Sequence, residues 1–495
     1  MSNNEDQEAT NQNDYMYSRP LDVHVWSDYP EVNDFVDEIY YHLSEITGNK
    51  IINKKLLKVV LLDLYVSWRA DPDLKVMFSR DNSSYKARSR YNEINIGRKI
   101  IKVVDSLVEQ EIIHEKRGFH DRVSGTSFQT RLWASDWLKE RFREARFSQF
   151  CLHSHEGREP LVLRNTEKED VEYDEAEETQ GMRALLSDYN DLLYNTHIDI
   201  YDLEVPIIIS GSGSQKSVVQ VNQNSKFVRR IFNHERWDKG GRFYGGWWQR
   251  CPSEYRKRIV MDGILTEEID YSGLHITILY AKEGISYWGD NNEDPYSISG
   301  INSLDPDIDL RAAAKLLLLT ALNAENETKT FQAFRSQAPT GSPEKRLTNE
   351  QLSSILSALK SKHEPIAHKL ASGAGIDLMF VDSQITAKLI ERFTYHYKCP
   401  ILTVHDSYVV PFGYGMFLKK EMEAAFEEVA GSSGTRVEHT TDYFYILQEQ
   451  PSPEEQETIE PIVRCERHQN ELRLFQEFKG KPAYEDWVPD WTSVL

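Results

Sequence analysis

The chain has 495 residues, 40% hydrophobic and 11% aromatic, so it can bury sizeable cores and is not a disordered chain. A net charge of −21 argues against a nonspecific nucleic-acid coat, and the four cysteines (Cys151, Cys251, Cys399, Cys465) lack metal-ligand spacing, which points to a reducing compartment and no zinc site. The longest apolar runs, 59–66 and 315–322, are too short to span a bilayer, and residues 1–14 lack a signal-peptide core; a soluble cytoplasmic protein with no membrane partner is expected.

Residues 1–25 are polar and expected to be disordered. Residues 26–150 read as a helical, winged-helix-like module. Helical spacing runs over 32–46 and 53–68, with Asn53 as a candidate N-cap. A helix over 96–110, a strand over 112–116, a polar turn over 118–126 and a strand over 129–134 follow the layout of a winged helix. Lys116, Arg117, His120, Arg122 and Arg131 would then face a phosphate backbone from the wing, although such modules also bind protein or merely scaffold.

A helix over 136–146 precedes an acidic linker over 151–181, whose Asp and Glu concentrate at 167–178. Residues 182–262 form a helical and basic-aromatic region. A helix is expected over 182–196 and a strand over 205–210, followed by a flexible Gly/Ser turn. Residues 226–258 hold ten Lys and Arg against Glu235, Asp238 and Glu254, interleaved with Phe227, Phe232, Trp237, Phe243, Tyr244, Trp247 and Trp248. Cations beside stackable rings suit a nucleic-acid strand, and Gly240, Gly241, Gly245 and Gly246 would let the backbone approach it closely.

Residues 263–430 carry the chemistry. The stretch 268–280 reads as a strand delivering Asp270, then a helix. A carboxylate at a strand end beside the Tyr271 carbonyl suits a hard cation such as Mg²⁺. Residues 400–411 read as a hairpin with His405, Asp406 and Ser407 at its bend, and two aspartates on neighbouring strands are what two-metal phosphoryl transfer requires. Between them an apolar helix over 305–324 carries Arg311 and Lys315 on one face, which suits a triphosphate tail or a surface ion pair. Further helices are expected over 349–370, 380–397 and 417–429, and residues 431–495 form a C-terminal extension ending in Tyr484, Trp487 and Trp491.

In this order, Asp270-Tyr271-Ser272, Arg311 with Lys315, and His405-Asp406-Ser407 resemble the motifs of right-hand nucleic-acid polymerases, namely the DNA polymerase I family and the single-subunit phage-type RNA polymerases. The resemblance covers roughly residues 225–430. It implies an α+β fold, a right-hand palm and fingers behind the winged-helix-like module. It also implies Mg²⁺ (or Mn²⁺) on Asp270 and Asp406 with the Tyr271 carbonyl assisting, and the nucleotide, dNTP or NTP, on Arg311 and Lys315. Arg242, Tyr244, Gln249, Arg258, Gln384 and His405 would meet primer and template. His275 stands where the DNA enzymes carry a sugar-excluding Glu, the aromatic positions four and eight residues after the fingers lysine are Leu319 and Asn323 here, the usual Tyr-Gly is absent, and no exonuclease carboxylate set is present. Templated DNA synthesis in replication, priming or repair of a phage or mobile element is the implied activity. A phage-type RNA polymerase or primase, a template-independent nucleotidyltransferase, and a non-catalytic winged-helix DNA-binding protein on a polymerase scaffold are the alternatives.

Overall fold

The structure is a computed structural model that describes residues 15–480 except 44–48, 86–87, 121–126, 212–215, 291–292, 302–303, 433 and 441–462. Helices and strands are mixed throughout, so the fold is α+β. The Arg122 wing position, most of the Gly/Ser turn, the second acidic run (451–460) and the aromatic tail lie outside the described residues.

One hydrophobic core belongs to the N-terminal module. It gathers β1 (Ser18–Pro20), α1 (Pro30–His42), α2 (Lys50–Ala70), β2 (Lys75–Phe78), α3 (Lys99–Glu109), β3 (Ile113–Lys116), β4 (Thr130–Ala134) and α4 (Asp136–Glu144). Helix α2 is buried nearly all round from Leu56 to Ser67, as a core helix must be to find apolar partners on every side. Its N-cap is Asn49, whose side chain accepts from the Ile51 and Ile52 amides; Asn53, expected in that role, is buried inside the first turns. The strands order as β1-β2-β4-β3, with β2 antiparallel to β4 and β4 to β3. Part of the segment expected to be disordered is structured: β1 runs parallel to β2, and Arg19 reaches Asp63 on α2 at 2.7 Å. A buried ion pair outweighed the polar composition of that segment. On the hairpin, Arg131 is buried and donates to the Tyr15 carbonyl, so it does not face outward to phosphate, whereas Arg117 pairs with Glu115 but stays exposed.

The second core runs continuously from Leu161 to Val437 and unites residues 182–262 with 263–430. It begins inside the expected linker. Here β5 (Leu161–Arg164) and β6 (Asp170–Val171) precede α5 (Glu177–Tyr194), and Leu161, Val162 and Leu163 are buried. The surrounding acids are neutralised: Glu172 and Glu175 by Arg90, Glu159 and Glu175 by Arg183. Strand β7 (Ile198–Ile200) follows. A four-stranded sheet then forms in the order β6-β5-β8-β9, with β8 at Arg229–Phe232 and β9 at Gly240–Tyr244.

Much of the basic stretch is buried or paired, although Arg236, Arg250 and Lys257 remain exposed. Lys226 donates to the Tyr194 and Thr196 carbonyls and Arg230 to the Gly241 carbonyl, both buried. Arg236 pairs with Asp238, Lys239 with Asp377, Arg242 with Asp382, Arg256 with Glu268 and Arg258 with Asp202. Most of those carboxylates come from outside the stretch, so local charge counting could not find them. Gly245 serves an internal approach: a Cβ there would lie 2.0 Å from the Phe227 carbonyl oxygen, at φ +151°.

The six-stranded sheet holds β10 (Ile259–Met261), β11 (Ile264–Tyr271), β12 (Leu402–Val404) and β13 (Ser407–Pro411) in the order β7-β10-β11-β13-β12, with β14 (Val437–His439) also paired to β11. Helix α6 (Leu274–Lys282) leaves β11 through Gly273, whose φ of +66° is the left-handed region glycine tolerates. Three helices, α7 (Leu310–Asn323), α8 (Glu327–Gln337) and α9 (Asn349–Lys362), pack together. Helix α10 (Gly375–Arg392) lies against β9, α6 and α11 (Gly415–Ala430). Helix α12 (Glu466–Lys479) returns to β7, its Arg467 bonded to the Leu203 and Ile200 carbonyls. Among the described residues no helix is long and apolar enough to cross a membrane.

Candidate active site

Strand β11 supplies the floor of a cleft. Side chains alternate along a strand, so Glu268 and Asp270 share one face. Antiparallel pairing sets Asp270 opposite Ser407, and the Tyr271 amide donates to the Asp406 carbonyl at 3.2 Å. Strands β12 and β13 join through only His405 and Asp406, because Val404 already pairs with Ser407. His405 takes φ +56°, a left-handed conformation that a non-glycine residue holds at a cost of about 1–3 kcal/mol. That turn delivers Asp406 to the Asp270 face. Gln249, Arg256, Glu268, Asp270, His405 and Asp406 line one cleft of about 340 Å³.

Both aspartates are raised above the ordinary carboxylate range. Burial first, then the Asp406 and Glu268 charges, raise the Asp270 carboxyl, with Lys315 opposing. Burial and then Asp382 raise Asp406, against the pull of His275 and Arg242. Among the described residues Asp270 Oδ1 is buried with no hydrogen-bond donor. A buried carboxylate oxygen without a partner, beside a second carboxylate of the same sign, is a donor set that fits a hard divalent cation such as Mg²⁺.

Of the other expected residues, Lys315 and Arg311 bracket the Tyr296 ring, at 5.5 and 5.8 Å from its centroid. Lys315 acts electrostatically on Asp270, whereas Arg311 is held by Asp294. His275 Nε2 lies 3.0 Å from an Arg242 guanidinium nitrogen. Arg242 grips Asp382 at 2.6 and 2.8 Å, so its charge is committed inside the protein. The Gln249 amide donates to the Phe243 and Thr403 carbonyls, tying β9 to β12 at the cleft wall. Tyr244 is half-exposed, Gln384 is half-buried on α10, and His405 is exposed at the cleft. Tyr271 is buried, its hydroxyl donating to the Met422 carbonyl at 2.6 Å, which fixes the end of β11. Arg258 pairs with Asp202 and stacks over Tyr255, and it does not line the cleft.

Three neighbours escaped the sequence reading. Glu268 accepts from the Ser407 hydroxyl at 2.6 Å and from Arg256 at 3.0 Å; its two-residue spacing from Asp270 on a strand was the available signal. Buried Asp382 stands within 3.8 Å of His275, and its Oδ1 has no hydrogen-bond partner among the described residues. The Tyr296 hydroxyl is pushed up to about 12 by burial and then by Asp406. Neither of these last two carries a local pattern.

No family model matches the chain, and no curated protein matches it. Among solved structures it matches the POL domain of Pol1 from M. smegmatis, in complex with DNA primer-template and dNTP, at 12% identity and a TM-score of 0.29. The match covers 43% of this chain and 47% of that one, so the chain spans about half the length of the structure it matches.

Proposed function

We propose that the chain is a divalent-metal-dependent nucleotidyltransferase that extends a nucleic-acid 3′ end under the direction of a template, with DNA synthesis as its main activity. The observation that carries this reading is the convergence of Asp270 and Asp406 in one cleft, Asp406 raising the Asp270 carboxyl and Asp270 offering an unpartnered oxygen. Bound Mg²⁺ or Mn²⁺ would lower the pKa of the 3′-hydroxyl and neutralise charge on the leaving pyrophosphate. Asp270, Asp406 and the Tyr271 carbonyl would hold it. Lys315 would bind the nucleotide phosphates, joined by Arg311 once a phosphate replaces Asp294. His405 and Gln249, at the cleft, would meet the primer end, with Tyr244 and Gln384 along the nucleic-acid path. Arg242 and His275 act through Asp382 as positioning residues that hold α10 against the catalytic strands. Arg258 has no part in this reading. The N-terminal module, a helix followed by a hairpin in the strand order β2-β4-β3, would be a winged-helix-like unit; Arg131 is turned inward, while the exposed Arg117 would meet a phosphate backbone.

The test is primer extension by the purified chain on a primed template with Mg²⁺, dNTPs and NTPs supplied separately, beside Asp406→Ala. Templated extension that the variant loses supports the reading. Nucleic-acid binding without extension in any mixture overturns it. Extension without template would replace it by terminal addition, and extension with NTPs alone by RNA synthesis or priming.

A further inference from the structure

At the β7 edge of the six-stranded sheet lies a second cluster, made of residues that the nucleotide cleft does not use. His197 and Asp199 come from β7 and its entry, and His468 from α12. All three are fully buried. Each can offer one donor atom, and these atoms lie within 4.8 Å of one another. Among the described residues neither ring nitrogen of His197 has a hydrogen-bond partner, and His468 Nε2 has none. An imidazole that is closed off from water with both nitrogens unmatched forfeits the hydration it had in the unfolded chain. Imidazole nitrogens and a carboxylate oxygen are donor types that a transition metal takes up.

We propose that His197, Asp199 and His468 bind a transition-metal cation of the zinc class, and that this ion fastens α12 to the edge of the sheet.

The supporting shell is built for the purpose. Asp199 Oδ2 meets His468 Nδ1 at 2.7 Å, and Asp199 Oδ1 accepts from Arg467 at 2.9 Å. A carboxylate has lone pairs beyond those two, and carboxylate–imidazole bonds are how proteins orient metal-binding histidines. Arg467 is itself held by the Leu203 and Ile200 carbonyls, and the His197 amide donates to Asp262, so both ends of the cluster are pinned to backbone. Phe475 closes the site with its ring 5.3 Å from that of His197. The nearby Lys226 and Arg467 charges oppose a cation, so the ion must be one that gains strongly from nitrogen donors. Imidazole favours zinc, cobalt and nickel over magnesium, which separates this site from the oxygen-only donors of the nucleotide cleft. Because the cluster has no exposed surface, entry requires α12 to lift, and ion binding is thereby coupled to docking of the helix.

The experiment uses the full chain, stripped with a chelator and dialysed against micromolar Zn²⁺ with excess Mg²⁺, followed by elemental analysis and by amide exchange over residues 466–479. The expected result is one equivalent of zinc retained per chain by the wild type and by Asp406→Ala, its loss in His197→Gln and in His468→Gln, and slower exchange in α12 when zinc is present. Co²⁺ in place of Zn²⁺ should give visible absorption. Retention of no zinc by the wild type overturns the proposal whatever the variants do. So does retention by His197→Gln equal to that of the wild type, or loss in Asp406→Ala alone, which would put the ion in the nucleotide cleft.

Discussion

The same sheet holds buried carboxylates in two opposite electrostatic conditions. At the β7 edge Asp199 is held down to about 2, because its His468 hydrogen bond and the Arg467 charge outweigh burial. In the β11–β13 cleft Asp270 and Asp406 are raised, because burial is reinforced by acids. The atom left without a partner also differs: an imidazole pair at the edge, a carboxylate oxygen in the cleft. Burial alone therefore does not mark a functional acid. What distinguishes the cleft is that burial and neighbouring acids raise the cost of the negative charge more than Lys315, His275 and Arg242 lower it, leaving its neutralisation to something that enters from solution.

Removing the cleft carboxylates should give the largest effect. Asp270→Ala or Asp406→Ala is expected to lower nucleotide incorporation about 10³-fold or more, since several kcal/mol of transition-state charge stabilisation depends on them. Gel-shift binding of primed template should persist. Comparable extension by wild type and Asp406→Ala would erase the contrast. At the sheet edge the loss should fall on stability instead. Asp199→Ala leaves the buried His468 Nδ1 unpaired and Arg467 with only Glu471 as an ionic partner among the described residues, and should cost about 3–5 kcal/mol in urea denaturation. A smaller change would show that the edge relaxes easily. Lys315→Ala should raise the KM for nucleotide about tenfold to a hundredfold, the worth of one charge-assisted bond, with little change in Tm because the side chain is exposed.

The smallest effect separates the two acids by sign. The Asp270 carboxyl is raised in the folded chain, so its destabilising effect is absent below its unfolded value near 4 and grows as pH rises through the folded value. Asp270→Asn should therefore have a higher Tm than wild type at pH 8, and the gap should close toward pH 4. Asp199 is lowered, so its stabilisation is present above about pH 4 and fades as pH falls toward 2. A Tm gap for Asp270→Asn that widens on acidification would contradict the arrangement of charges in the cleft.

How much of this could be read from the sequence depended on range. The period-2 run of β11, the hairpin around His405 and Asp406, and the α7 helix with Arg311 and Lys315 are local patterns, and all three appear where expected. Bringing Asp270 to Asp406 followed from their order along the chain. The pairing of cations in the basic stretch was hidden because their acids lie far off: Asp382 is 140 positions from Arg242 and Asp202 is 56 from Arg258. Composition likewise hid β5, whose four residues, Leu161–Arg164, sit between acidic segments yet form an inner strand of their sheet. The His197, Asp199 and His468 cluster was invisible for the same reason, since His468 lies 269 positions from Asp199. Tyr296 and Asp382 act on Asp406 from separate elements brought near it by packing, which no window of sequence records.

The distance between β7 and α12 also sets a clock. His468 meets Asp199 across 269 positions, so a ribosome adding roughly 5–20 residues per second completes the strand roughly 10–50 seconds before the helix that caps it can emerge. Throughout that interval β7 is the outer strand of its sheet, with unpaired backbone groups open to any neighbouring chain. Slow translation or crowded polysomes would prolong this exposure, and yield of the full chain should depend on how soon the last helix arrives.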